Sequence, residues 1–392
     1  MTDNGGAAAV TASAWRLSFF FGAVFAVVGV VMPYWPVFLQ ARGLTPTQIG
    51  LVLSAVLWVR VVANPLIAQA VDRRGERRRP LLVLSAATLL GYLGFLVADG
   101  FWPLLLASLL AGVAFAAIIP LGETVVLRGV YRLGLDYGRL RLWGSVTFIA
   151  ASVLGGPMLA RFGPWSVLWA ILALVLVVLL ACALLPDERP ARAARGSGPV
   201  LGLMRQPVFL LFLCTGGLIH ASHAVLLGFG TLHWRSIGFS DGIIGALWAE
   251  GVIAEILLFV VSGRAVRRIG VANLLVLGAG GAVVRWTAMG LSDALWLAFV
   301  MQALHGLTFG AAHLGAMHFI ARAAPDAWSA TAQSLHGAVG GGIAVGLTMA
   351  AAGALYQRFD NGAYLVMAGV AALAVLAALM LARRWDGGPL VK

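Results

Sequence analysis

The sequence predicts an all-α membrane protein of twelve transmembrane helices in two six-helix halves, and three observations carry that reading. Of 392 residues, 61% are apolar and only 11% charged, and the mean hydropathy is +0.95. Soluble domains are seldom so apolar. Apolar runs able to cross a hydrocarbon core of about 30 Å, which takes roughly 20 residues, follow one another with short polar breaks. A polar stretch interrupts them once, at the middle of the chain, and sequence motifs repeat on either side of it.

The predicted spans are 15–39, 47–71, 80–98, 102–128, 139–161, 164–185, 207–233, 241–264, 271–291, 294–322, 329–355 and 361–383. The first run lacks a small-x-small cleavage site and continues into Pro33, Tyr34, Trp35 and Pro36, so it reads as a retained helix. Cys182 and Cys214 sit singly in apolar runs, without metal or redox spacing, and read as packing residues. The net charge of +12 is topological. With the N-terminus inside, 21 of the 27 basic residues fall in cytoplasmic segments and four, Arg42, Arg161, Arg235 and Arg358, in outer loops. That bias places both termini in the cytoplasm of a bacterial inner membrane and excludes a nucleic-acid partner.

The break divides the chain into an N-terminal half (1–185), a linker (186–206) rich in Pro, Arg and Gly, and a C-terminal half (207–392). Gly43-Leu-Thr-Pro-Thr-Gln-Ile49-Gly50 returns 195 positions later as Gly238-Phe-Ser-Asp-Gly-Ile-Ile244-Gly245, and the same offset carries Asp72-Arg73-Arg74-Gly75 onto Arg267-Arg268-Ile269-Gly270. Two separated motifs on one offset mark a parallel repeat.

Between spans 2 and 3 the chain reads Ala68-Gln-Ala-Val-Asp72-Arg73-Arg74-Gly75-Glu76-Arg77. This resembles the major facilitator superfamily loop Gly-x-x-x-Asp-basic-x-Gly-basic-basic, with Ala68 and Glu76 departing from it. Asp72 facing Arg73 and Arg77 across the turn at Gly75 makes a charge clasp that can hold one conformation and release another. The alternative is that these charges only enforce orientation.

Leu135-Asp-Tyr-Gly138-Arg-Leu-Arg141-Leu-Trp143-Gly-Ser145-Val-Thr-Phe-Ile, with Pro120-Leu-Gly-Glu123 before it and Val284-Arg-Trp286 and Leu304-His305 after it, is similar to the phenylpropionate permease family along nearly the whole chain. The resemblance implies a proton-linked uptake carrier of major facilitator fold, working by alternating access, with 3-phenylpropionate or a related aromatic acid as substrate. The lactose permease family is more distantly similar. Its acid and Arg eighteen residues apart correspond to Glu123 and Arg141, and its Arg and His twenty residues apart to Arg285 and His305. Glu255 matches its helix 8 acid across a short gap. The carboxylate that follows its helix 10 His by three positions is Thr308 here, so the proton route is not transferred whole.

Independently of any family, charges at membrane depth mark a pathway or an ion pair. Glu123, Glu250 and Glu255 stand against Arg60, Arg141 and Arg285, and a rise of about 1.5 Å per residue puts Arg60, Glu255, Arg285 and His305 near the midplane. Glu250 and Glu255, five residues apart, fall on different helix faces. Arg60, Glu123, Arg141, Trp143 and Tyr34 are the candidate substrate ligands, although Trp and Tyr also populate membrane interfaces. Glu255, Arg285, His305 and His313 are the candidate proton-coupling residues, since histidine titrates most readily near neutral pH. Asp136 reads as a helix N-cap. No phosphate loop, metal cluster or catalytic triad is evident, so neither an enzyme nor a cofactor is expected, and the expected unit is a monomer with a small solute and a proton as partners. A sugar or nucleoside symporter and a drug-efflux antiporter remain alternatives. The antiporter signature fails after Gly156-Pro157, where the chain continues Met-Leu-Ala160-Arg161.

Overall fold

A computed structural model describes residues 3–186, 198–325 and 328–390, and every regular element among them is helical. Helices α1 (Asp3–Ala41), α2 (Pro46–Arg74), α3 (Arg78–Gly94), α4 (Phe101–Leu133), α5 (Tyr137–Phe162) and α6 (Trp165–Leu184) follow in order. Short α7 (Gly198–Met204) leads into α8 (Pro207–Ala221) and α9 (Ala224–Ser236), then α10 (Asp241–Val260), α11 (Ser262–Ile269) and α12 (Val271–Leu291). Next comes α13 (Leu295–Ala303), a π-helical segment Gly306–Ala311, and α14 (Ala312–Ala323). The chain finishes with α15 (Ser329–Gly337), a second π-helical segment Ala338–Ala344, α16 (Val345–Phe359) and α17 (Ala363–Arg384).

Ten stretches among the described residues are long and apolar enough to cross a bilayer. One of them, Ser329–Arg384, has 56 residues, and it turns at Asp360–Gly362, where Asp360 has a φ of 52°. Helix α3, at 17 residues, is one apolar rod more. Its early end corrects the predicted span 80–98. Arg42, just past the end of α1, donates to the carbonyls of Phe95, at 2.7 Å, and of Ala98, which holds the chain in turns after Gly94. The predicted span 207–233 is broken at Ser222–His223, where the Ser222 hydroxyl donates back to the Ile219 carbonyl at 2.7 Å.

Two compact units make up the chain. One comprises Met1–Leu44, Val59–Ala193 and Ser240–Ala246, and the other Thr45–Trp58, Ala194–Phe239 and Leu247–Lys392. Positions 187–197 of the expected linker lie outside the described residues.

In the first unit α1 packs on α4, α5 and α6, and α3 on α4 and α6. Close approach depends on glycine. A Cβ on Gly29 of α1 would stand 2.6 Å from the Phe148 carbonyl oxygen of α5, and one on Gly91 of α3 would stand 2.5 Å from the Ala111 nitrogen of α4. Small residues at helix contacts are how membrane bundles gain packing without a hydrophobic driving force. In the second unit α12 packs on α17 and α14, α8 packs on α17, and Phe212 stacks on Phe319 at 4.2 Å. Leu66, Leu106, Leu154, Leu257 and Leu291 remain on the surface, where a hydrocarbon solvent would cover them.

Candidate functional site

A polar chain runs through the second unit, centred on fully buried Arg285 of α12. One terminal nitrogen, Nη1, donates to His305 Nδ1 at 3.0 Å and to Thr308 Oγ1 at 3.1 Å, while Nη2 donates to the side-chain carbonyl of Gln302. The Gln302 amide donates in turn to the Leu247 carbonyl at 3.0 Å. On its far edge His305 places Nε2 2.7 Å from Glu255 Oε1. A guanidinium can only donate, so Nδ1 of His305 is the acceptor and its N–H sits on Nε2, aimed at the carboxylate. One neutral tautomer satisfies both contacts. Thr308 extends the chain, because its hydroxyl lies 3.3 Å from His223 Nε2, and His223 Nδ1 donates to the Ile219 carbonyl at 2.9 Å.

Local sequence builds this arrangement. The π-helical segment Gly306–Ala311 begins just after His305 and turns Thr308 and Phe309 relative to an ideal helix. Glycine lets the segment lie against α10, since a Cβ on Gly306 would stand 2.7 Å from the Ala254 carbonyl oxygen. Gly251 of α10 likewise leaves room for the His305 ring, which a Cβ there would meet at 3.2 Å. The ring also stacks on Phe309 at 5.3 Å, and Arg285 lies over Trp286 at 4.6 Å.

A second polar cluster lies in the first unit. Tyr137, the first residue of α5, donates its hydroxyl to Glu123 of α4. One turn along, the Arg141 guanidinium sits 3.8 Å over the Phe25 ring and 5.5 Å from that of Phe21, and Phe21 meets Tyr137 edge to face at 6.0 Å. Gly144 leaves room for the stacked pair, as a Cβ there would stand 2.8 Å from Arg141 Nη1 and 2.9 Å from Phe25. Asp136 caps α5 by accepting from the Arg139 backbone N–H at 3.1 Å.

Residues 14–366 match the MFS_1 like family. The chain belongs to that family of major facilitator transporters. Over 356 residues it is 35% identical to the probable 3-phenylpropionic acid transporter of Escherichia coli (strain K12), covering 88% of this chain and 91% of the relative. It is 30% identical to the maltose permease of Geobacillus stearothermophilus over 374 residues, 93% of each. Among solved structures, a mutant form of the nucleoside transporter NupG superposes with a TM-score of 0.85 at 15% identity, covering 94% of this chain and 99% of the other. The D-xylose-proton symporter superposes with a TM-score of 0.67 at 15% identity, covering 98% of each. At such identities the solved structures speak for the fold alone. The protein is a multi-pass membrane transporter, and its relatives are transporters rather than enzymes.

In this major facilitator transporter the structure brings Glu255, Arg285 and His305 together, and Glu123 and Arg141 within one cluster. His313 meets the first group through Phe309, on which it stacks at 6.3 Å. Glu250 keeps a buried Oε2 without a hydrogen-bond partner among the described residues. Arg60 is half-buried on α2. Tyr34 is fully buried, with its hydroxyl donating to the Ser152 carbonyl at 2.5 Å, and Trp143 is 55% exposed. At the turn after α2, where Gly75 has a φ of 70°, Arg77 pairs with Asp72 at 2.7 Å, while Arg73 donates to Gln69 at 3.1 Å.

Gln302, His223 and Tyr137 complete the two clusters without standing out in the sequence as site residues. For Gln302 a signal existed, because an uncharged amide three residues before His305 in an apolar run needs a buried partner.

Proposed function

We propose that this transporter takes up a small organic solute in symport with protons, by alternating access, and that the solute is an aromatic acid such as 3-phenylpropionate. The chain Glu255–His305–Arg285 is the observation that supports proton coupling. While Arg285 donates to Nδ1, His305 has no lone pair to offer. When the guanidinium withdraws, Nδ1 accepts a proton, and the resulting imidazolium stays paired through Nε2 with the Glu255 carboxylate. Its return forces that proton off again, because two donors cannot share Nδ1. Thr308 and Gln302 are the contacts that Arg285 keeps or gives up as it moves.

For the solute, the 35% identical relative named for 3-phenylpropionic acid supports an aromatic acid, and Arg141 stacked among aromatic rings is chemically suited to one, since guanidinium edges match a carboxylate while the rings match an arene. The 30% identical maltose permease favours a second reading, a sugar bound at Glu123 and Arg141 through its hydroxyls. Uptake of radiolabelled 3-phenylpropionate and maltose into vesicles, each with and without an imposed inward proton gradient, tests the proposal. Gradient-driven accumulation of the acid alone is expected, accumulation of maltose alone would move the protein to the second reading, and uptake indifferent to the gradient would remove proton coupling.

A further inference from the structure

We infer that Tyr137 is a specificity-determining residue that sets the first-unit cluster for organic anions over neutral hydroxylated solutes; the inference rests on the aromatic-acid reading. Glu123 and Arg141 alone do not decide between these classes. A carboxylate and a guanidinium offer acceptors and donors that suit a polyol, whereas an incoming carboxylate is attracted by Arg141 and repelled by Glu123. The decisive contact is the phenolic O–H, which Tyr137 donates to Glu123. It occupies an acceptor site on the carboxylate and spreads its charge, so Glu123 both repels an anion less and has less to offer a solute hydroxyl.

The placement of that hydroxyl is built into the fold. Tyr137 is the residue after the N-cap Asp136, whose side chain is fixed on the Arg139 N–H. Its ring is held edge to face against buried Phe21. Arg141 lies one turn further on the same helix, with Phe25 beneath it. The cluster thus sets the Arg141 guanidinium among the rings of Phe21, Phe25 and Tyr137, with the Glu123 carboxylate engaged by the phenol. A monocarboxylate carrying an arene fits that set of groups.

Removing one oxygen tests this. The full chain, its Tyr137→Phe variant and the double variant Tyr137→Phe with Glu123→Gln are purified in detergent, and their affinities for 3-phenylpropionate and for its neutral counterpart 3-phenylpropanol are titrated. Wild type is expected to favour the acid. Tyr137→Phe should weaken acid binding by about tenfold, the size of one charge-assisted hydrogen bond, with alcohol binding unchanged or tighter. The double variant should recover the acid preference, because the charge that the phenol moderates is gone, an outcome a merely structural role would not produce. A Tyr137→Phe variant that keeps the wild-type preference, or that loses both ligands without recovery in the double variant, overturns the inference and leaves the aromatic-acid reading standing. A wild type that favours the alcohol or binds neither overturns the reading and the inference with it.

Discussion

His305 stands between Glu255 and Arg285, with Nε2 2.7 Å from the carboxylate and Nδ1 3.0 Å from the guanidinium. Charge at one edge of the ring is therefore tied to movement at the other, and Glu255 and Arg285 can communicate through a single imidazole.

Gln302 fixes Arg285 on one side and the Leu247 carbonyl on the other. Gln302→Leu leaves buried donors and acceptors unmatched and is expected to cost about 1–3 kcal/mol of stability. Thermal unfolding of the purified protein should show the loss, and transport should lose gradient dependence more than it loses exchange. A variant with wild-type stability and coupling would free Gln302 from this role.

The π-helical segment has a steric requirement at Gly306, whose Cβ would stand 2.7 Å from a backbone oxygen. Gly306→Ala is predicted to destabilise by about 1–3 kcal/mol through overpacking and to draw His305 away from Glu255. Gly280, with open space around its Cβ position, is the control, and Gly280→Ala should leave both unfolding and coupling near wild type.

At the α2–α3 turn, the Arg77–Asp72 pair joins a largely buried guanidinium to a half-exposed carboxylate. An ion pair this open contributes under about 1 kcal/mol to stability. Asp72→Asn should therefore barely shift the unfolding temperature while slowing transport, which locates the pair in conformational control. Equal effects on both would reduce it to a structural contact.

If both termini are cytoplasmic, reporter fusions after Gly75 and Gly196 should report cytoplasm, and fusions near Asp99 and Asp293 the outside. Opposite signals at all four would invert the topology.

The long rods were legible because length and hydropathy are local properties, and the cap at Asp136 because capping needs only neighbouring residues. Arg285 and His305 were legible as costly groups at one depth. What the sequence concealed depends on irregular backbone or on packing between distant helices. The break at Ser222–His223 hides inside one apolar run because hydropathy does not register a hydroxyl bonding back to a carbonyl. The π-helical segment hides because it needs Gly306 to clear the Ala254 carbonyl of α10 and Gly251 of α10 to clear the His305 ring, contacts between residues far apart in sequence. Thr308 read as the loss of a carboxylate, whereas the structure gives it a contact to Arg285 and another to His223.

The proton route meets its most direct test in Glu255→Gln, reconstituted in vesicles and examined for gradient-driven accumulation and for exchange of labelled against unlabelled 3-phenylpropionate. The amide keeps a hydrogen bond to His305 but offers no charge to hold an imidazolium. Accumulation should fall to the equilibrium level while exchange continues, because exchange needs no net proton movement. Accumulation against a gradient by Glu255→Gln would contradict the route through Glu255 and His305 and move the proton to Glu123 or His313.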